Sequence, residues 1–221
     1  MGDLVSFMKN IYYVLLLLDA LAFSVLFFYR ARVYKPIFFY LIVGLICEVF
    51  TELISRKIIL IFGVETNAPF GHLYVWTQFI AFFLFFFTLQ KSNKMKKAFV
   101  YIFSVFFFFA LMPYLWLDAN LMIHNPYIAL ITMPCVLFYS LIYFIQMLEK
   151  TKGFPFMNIG IFLVTGSSLI NISSSAFYQD VNLNLIYLKN TVNLIPLIIM
   201  QLLFMYECYL FFQSRKSKAT I

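Results

Sequence analysis

Histidine, cysteine and charged residues are scarce in this sequence. Its 221 residues include two histidines, three cysteines and nine acidic side chains, and only 11% are charged. Two histidines, His72 and His124, without an HExxH pattern or a closely spaced histidine pair, cannot supply the three or four protein ligands of a zinc site. The odd set Cys47, Cys135 and Cys208 falls within apolar runs, so these residues read as small packing groups and not as a disulfide framework. GxSxG, Walker and GxGxxG patterns are absent, which removes standard serine hydrolase and nucleotide chemistry. Nothing in the sequence calls for a cofactor or metal. Alternation of polar and apolar residues is missing as well. Runs such as FIAFFLFFFTL and FVYIFSVFFFFAL cannot be strands of a membrane barrel, which alternate.

Apolar residues fill the space that remains. The chain is 64% hydrophobic, with a mean hydropathy of +0.93, outside the range of soluble domains. A bilayer-crossing helix uses about 20 apolar residues. The sequence accommodates seven, at residues 10–29, 37–60, 72–90, 98–117, 126–148, 156–177 and 190–212. The expected fold is an all-α bundle of seven transmembrane helices forming one domain over residues 1–221. The connections are too short for a soluble domain, so an output activity would reside in a partner. The first span lacks a small-residue cleavage site and ends in RARVYK, the pattern of an uncleaved anchor.

Lysines and arginines set the expected orientation. Arg30, Arg32 and Lys35 follow span one, Lys91, Lys94, Lys96 and Lys97 follow span three, Lys150 and Lys152 follow span five, and Arg215, Lys216 and Lys218 follow span seven. All lie on one side, which the positive-inside rule makes cytoplasmic. The N-terminus is then outside, the C-terminus inside, and the membrane an inner or plasma membrane. The net charge of +7 expresses this asymmetry and an attraction to anionic lipid. It carries no pattern of basic and aromatic residues that would read nucleic acid.

Polar residues inside the spans mark where a site could be built. In GLICEVFTELISRK, Glu48, Glu52 and Arg56 recur at i, i+4 and i+8 and share one helical face. Glu before Arg by four residues is the favourable order for an ion pair. A charge at the bilayer centre costs on the order of 3 kcal/mol, so this stripe is expected to face protein or trapped water. Gln78 on span three, Ser167, Asn171 and Ser174 on span six, and Asn190, Asn193 and Gln201 on span seven lie at similar outer depths. The expected site is an outward-facing polar pocket of spans two, three, six and seven, with Glu48, Glu52, Arg56, Gln78, Asn171, Asn190 and Asn193 as ligand-binding residues. Pro134 and Pro196 fall in mid-span, where they release backbone groups around such a cavity. Asp19 and Glu48 are the candidates for carrying a proton. Glu207 is expected to pair with a cytoplasmic cation, and Tyr139 and Tyr143 to belong to the core.

Three functions fit this pattern. The first is a binding or sensing module for a small polar ligand or ion that signals through a separate cytoplasmic protein. The second is a small-solute or proton-coupled transporter. The third is a lipid-modifying enzyme using Glu48 and Glu52 as acid and base; no nucleophile or oxyanion donor accompanies them, so an enzyme is the least favoured reading. A retinal protein is excluded because the lysine of span seven, Lys189, lies at its outer edge. Span four, with Ser104 as its one polar side chain before Pro113, suits a peripheral linker. This raises a three-plus-one-plus-three arrangement of parallel repeats, as in some small sugar transporters, whose Pro-Gln signature is absent.

Overall fold

The computed structural model describes residues 2–29, 32–116, 120–123, 125–148, 153–175 and 183–219, with backbone alone at 2, 116, 174–175, 183–190 and 216–219. Arg30, His124, Lys150 and Lys152, and the side chains of Ser174, Lys189, Asn190, Lys216 and Lys218, therefore lie outside the described residues. Seven helices follow one another: α1 Gly2–Phe28, α2 Lys35–Ser55, α3 Ala68–Leu89, α4 Asn93–Trp116, α5 Pro126–Leu148, α6 Pro155–Ser175 and α7 Leu183–Ala219. Each contains a stretch long and apolar enough to cross a membrane. The protein is a polytopic membrane protein, and exposed residues such as Leu17, Leu21, Val49, Phe108, Leu141 and Leu202 face lipid.

Proline sets several helix starts. Pro36 and Pro69 occupy the first turns of α2 and α3, and Pro126 and Pro155 open α5 and α6. Proline is favoured there because its missing N–H would have had no partner in the helix. The end of α2 departs from expectation. The apolar run continues to residue 60, yet the helix stops at Ser55. Lys57 adopts a left-handed conformation, φ 59°, while the Lys57 N–H donates to the Ile54 carbonyl at 2.8 Å and the Ile58 N–H to the Leu53 carbonyl at 2.9 Å. These two bonds form a Schellman stop.

The chain divides into two compact units, residues 1–31 with 140–221, and residues 32–139. Helix α1 thus groups with α6 and α7, and α4 groups with α3, unlike the expected three-plus-one-plus-three division.

In the unit of residues 32–139, α2 and α3 run antiparallel. The Tyr40 ring lies 5.7 Å from Tyr74 and 4.9 Å from Phe82, and Phe50 stacks on Phe70 at 4.8 Å. Phe103 of α4 stacks on Phe79 and Phe83, and Tyr139 of α5 stacks on Phe99 at 4.4 Å while donating to its carbonyl at 2.8 Å. Ser104 is exposed and bonds its own helix at the Val100 carbonyl, 2.9 Å away. At one end, Tyr114 donates to His72 Nδ1, and His72 Nε2 donates to the Ile123 carbonyl, both at 2.9 Å. That pins residues 120–123 to α3 and gives His72 a structural role.

In the other unit, α1 and α7 run parallel. Phe23 meets Phe204 at 5.9 Å and Tyr29 meets Phe212 at 6.3 Å, with the Arg215 guanidinium 4.6 Å above the Tyr29 ring. Helix α6 runs antiparallel to α7, with Phe156 at 4.6 Å from Tyr206. A Cβ on Gly160 would stand 3.2 Å from the Met200 Cα. Lipid offers no hydrophobic drive between helices, so close backbone approach at such a residue is a main source of their association.

Candidate functional site

In α2, Glu52 Oε1 lies 2.8 Å from Arg56 Nε, with side-chain exposures of 30% and 68%. The favourable i, i+4 order has produced the ion pair it promised, at the helix end where the C-terminal dipole favours the arginine. Glu48 is half-buried one turn earlier. Gln78 is buried in α3 with its Nε2 lacking a hydrogen-bond partner. Tyr40 touches both Tyr74 and Phe82, so Gln78, midway between these, is level with Tyr40. It stands about 12 Å along the axis from Glu48, at 1.5 Å per residue. Of the four expected residues in this unit, Glu48, Glu52 and Arg56 share a face, and Gln78 lies at a different level.

Helices α6 and α7 bring the asparagines together. The contacts Phe156–Tyr206 and Gly160–Met200 fix an antiparallel register in which Asn171 is level with residue 190, and Asn193 is within a turn. Asn171 and Asn193 are half-buried, and Asn190 is placed by its backbone.

The most unusual polar groups lie deeper in the same unit. Asp19 and Gln201 are both 0% exposed. Both carboxyl oxygens of Asp19, and both the oxygen and the nitrogen of the Gln201 amide, lack a hydrogen-bond partner. The pairs Phe23–Phe204 and Tyr29–Phe212 set a parallel register that puts Asp19 level with Gln201. Buried polar groups are ordinarily bonded, because leaving one unsatisfied costs about 1–3 kcal/mol. Two unsatisfied side chains at one level, in a helix pair that otherwise packs aromatic rings, therefore call for an explanation.

Toward the other end of α7 the polar groups are satisfied in part, with Glu207 Oε2 still lacking a hydrogen-bond partner. Glu207 is 6% exposed, and its carboxylate is set against the N–H groups of Phe156 and Met157 in the first turn of α6. These donors have no partner within their own helix, and a carboxylate there also meets the positive end of the helix dipole. Among the described residues, Glu207 meets this helix start and no cation. Alongside it, Ser140 donates to Asn158 Oδ1 at 2.7 Å, Asn158 Nδ2 donates to the Ser140 carbonyl at 3.3 Å, and the Phe154 N–H donates to the Tyr143 hydroxyl at 2.9 Å. Tyr139 and Tyr143 are thus core residues that also bond backbone. Cys47, Cys135 and Cys208 are buried thiols. Among the described residues no three His, Cys, Asp or Glu side chains group to hold a metal.

The sequence puts Gln201 on the face of Asn190 and makes Asp19 conspicuous, without joining the two. The 3.6-residue period assigns a face to each helix; it does not say that α1 and α7 are neighbours. No family model, curated protein or solved structure matches the chain.

Proposed function

We propose that this membrane protein binds a small polar ligand or ion within its helices and moves it together with a proton or monovalent cation held at Asp19. The observation that carries the reading is the Asp19–Gln201 level, where four buried polar atoms lack hydrogen-bond partners. A carboxyl in apolar surroundings is stabilised by taking up a proton or a small cation, and the Gln201 amide offers both an acceptor and donors at the same level. One carboxylate and one amide fall short of the six or more oxygens that Ca²⁺ takes, and of the octahedral shell that Mg²⁺ requires. A proton or a monovalent ion fits better. On α7, Asn190, Asn193 and Gln201 lie within about 80° of one another at 100° per residue. With the N-terminus outside, Asn171 and Asn193 form the outer mouth above this level.

A sensing role through a cytoplasmic partner would use the same site, and ion flux distinguishes the two. The acid–base enzyme reading loses support because Glu52 is engaged by Arg56.

Purified protein in liposomes containing a trapped pH-sensitive dye is expected to dissipate an imposed pH gradient. Asp19→Asn should slow this at least about tenfold, the effect of some 1.4 kcal/mol on a barrier, and Gln201→Ala should slow it less. Glu52→Gln should retain the wild-type rate. Equal rates for wild type and Asp19→Asn would remove the carrier reading, and absence of flux with both would leave the sensor.

A further inference from the structure

The connection between α2 and α3 is built in an order opposite to that of a water-exposed loop. Residues Ile61 to Val64 form a two-residue hairpin turn, with the Ile61 N–H donating to the Val64 carbonyl at 3.1 Å and the Val64 N–H donating back to the Ile61 carbonyl at 2.9 Å. Phe62 and Gly63 have φ of 48° and 77°, the type I′ geometry in which Asn-Gly or Asp-Gly is favoured. Phenylalanine gains nothing from a left-handed backbone, and its ring makes no use of the turn: Phe62 is 91% exposed. The charged residues stand at the base, where Lys57 Nζ lies 3.3 Å from Glu65 Oε2. Polar residues belong at the tip of a loop that projects into water; here the tip is aromatic and the charges at the base neutralise each other.

The apolar surface extends beyond one residue. Ile58, Leu60 and Val64 are exposed around Phe62, and Leu121 and Ile123 are exposed on the connection between α4 and α5. Thr66 ties the two connections together by donating to the Met122 carbonyl at 3.1 Å. Exposed apolar side chains inside the spans are accounted for by lipid, but these six lie past the ends of the spans, which finish at Ser55 and Leu115 and resume at Ala68 and Pro126. The rim therefore lies directly beyond the ends of the apolar spans.

We propose that this rim is a lipid-interface anchor, with Phe62 and its neighbours inserted at the boundary between acyl chains and headgroups on the side where α2 ends. Three features select lipid as the occupant. The rim is continuous with membrane spans, its turn closes its own backbone hydrogen bonds as an apolar environment requires, and its one charge pair is internally neutral. The apolar-face-down geometry is that of interfacial segments generally, and it fixes the depth and tilt of α2 and α3.

Site-directed spin labelling tests this. In a background lacking Cys47, Cys135 and Cys208, Phe62→Cys carrying a nitroxide is reconstituted at low protein density in phosphatidylcholine vesicles, with Leu60→Cys and Val64→Cys as alternatives should the first variant fold poorly. The anchor predicts that oxygen relaxes the label more than a water-soluble nickel chelate does, whereas a label at Lys91, on another connection, shows the reverse. Greater access to the chelate at positions 60, 62 and 64 would place the rim in water and overturn the proposal. Protection from both reagents would overturn it in favour of a protein surface, such as a second copy of this chain, covering the rim.

Discussion

Asn158 bonds through both polar atoms of its side chain. It is 0% exposed, it accepts from the Ser140 hydroxyl, and it donates to the Ser140 carbonyl. Both bonds join α5 to α6 across an apolar interior. Interhelical hydrogen bonds within membranes average about 0.6 kcal/mol and reach about 1.7, and replacing one partner strands the other. Asn158→Leu is therefore expected to lower unfolding free energy by about 1–2 kcal/mol, measured by denaturant titration in mixed micelles, with Ser140→Ala costing less. Asp19 and Gln201 contrast with this pair, since their atoms are buried at one level without hydrogen bonds. The sequence made Asp19 conspicuous because a carboxylate in a span is rare. It concealed Gln201 among the hydrogen-bonding residues of α7, since a glutamine alone does not reveal which helix it faces.

At the scale of the element, the helix ends show where local chemistry was readable and where it was not. Helices α5 and α6 begin at Pro126 and Pro155, within a residue of the expected spans, because proline at a helix start is a local rule. Helix α2 ends short of the expected span because the run after Lys57 remains apolar, and hydropathy cannot tell a helix from a hairpin. Gly63, in a row of bulky residues, was the available signal. The Schellman stop leads to a prediction. Lys57 occupies at φ 59° a position that glycine takes without a steric penalty, and a left-handed backbone costs a side-chain-bearing residue roughly 1–2 kcal/mol. Lys57→Gly should thus stabilise the α2 end by up to about 1 kcal/mol, offset in part by loss of the Glu65 pair. Slower amide exchange at Ile58 would register the gain, and faster exchange would show that the Lys57–Glu65 contact outweighs backbone strain.

For the molecule as a whole, hydropathy made seven helices and a membrane environment legible, because crossing a bilayer imposes a length on each apolar run. It did not disclose how the helices group. The order of neighbours depends on small residues such as Gly160, on aromatic pairs such as Phe23–Phe204 and on capping by Glu207, each of which needs a partner distant in the chain. That grouping turns a list of polar residues into a candidate site, since α1 beside α7 sets Asp19 level with Gln201. In the proposed function the Asp19 carboxyl takes up and gives up a proton or a monovalent cation. Infrared difference spectroscopy of the protein in lipid, recorded across a pH step in sodium-free and sodium-containing buffer, tests it most directly. A carboxyl C=O or carboxylate band is expected that changes with pH or with sodium and is missing in Asp19→Asn, with its frequency shifted in Gln201→Ala. Superposable difference spectra for wild type and Asp19→Asn would contradict it.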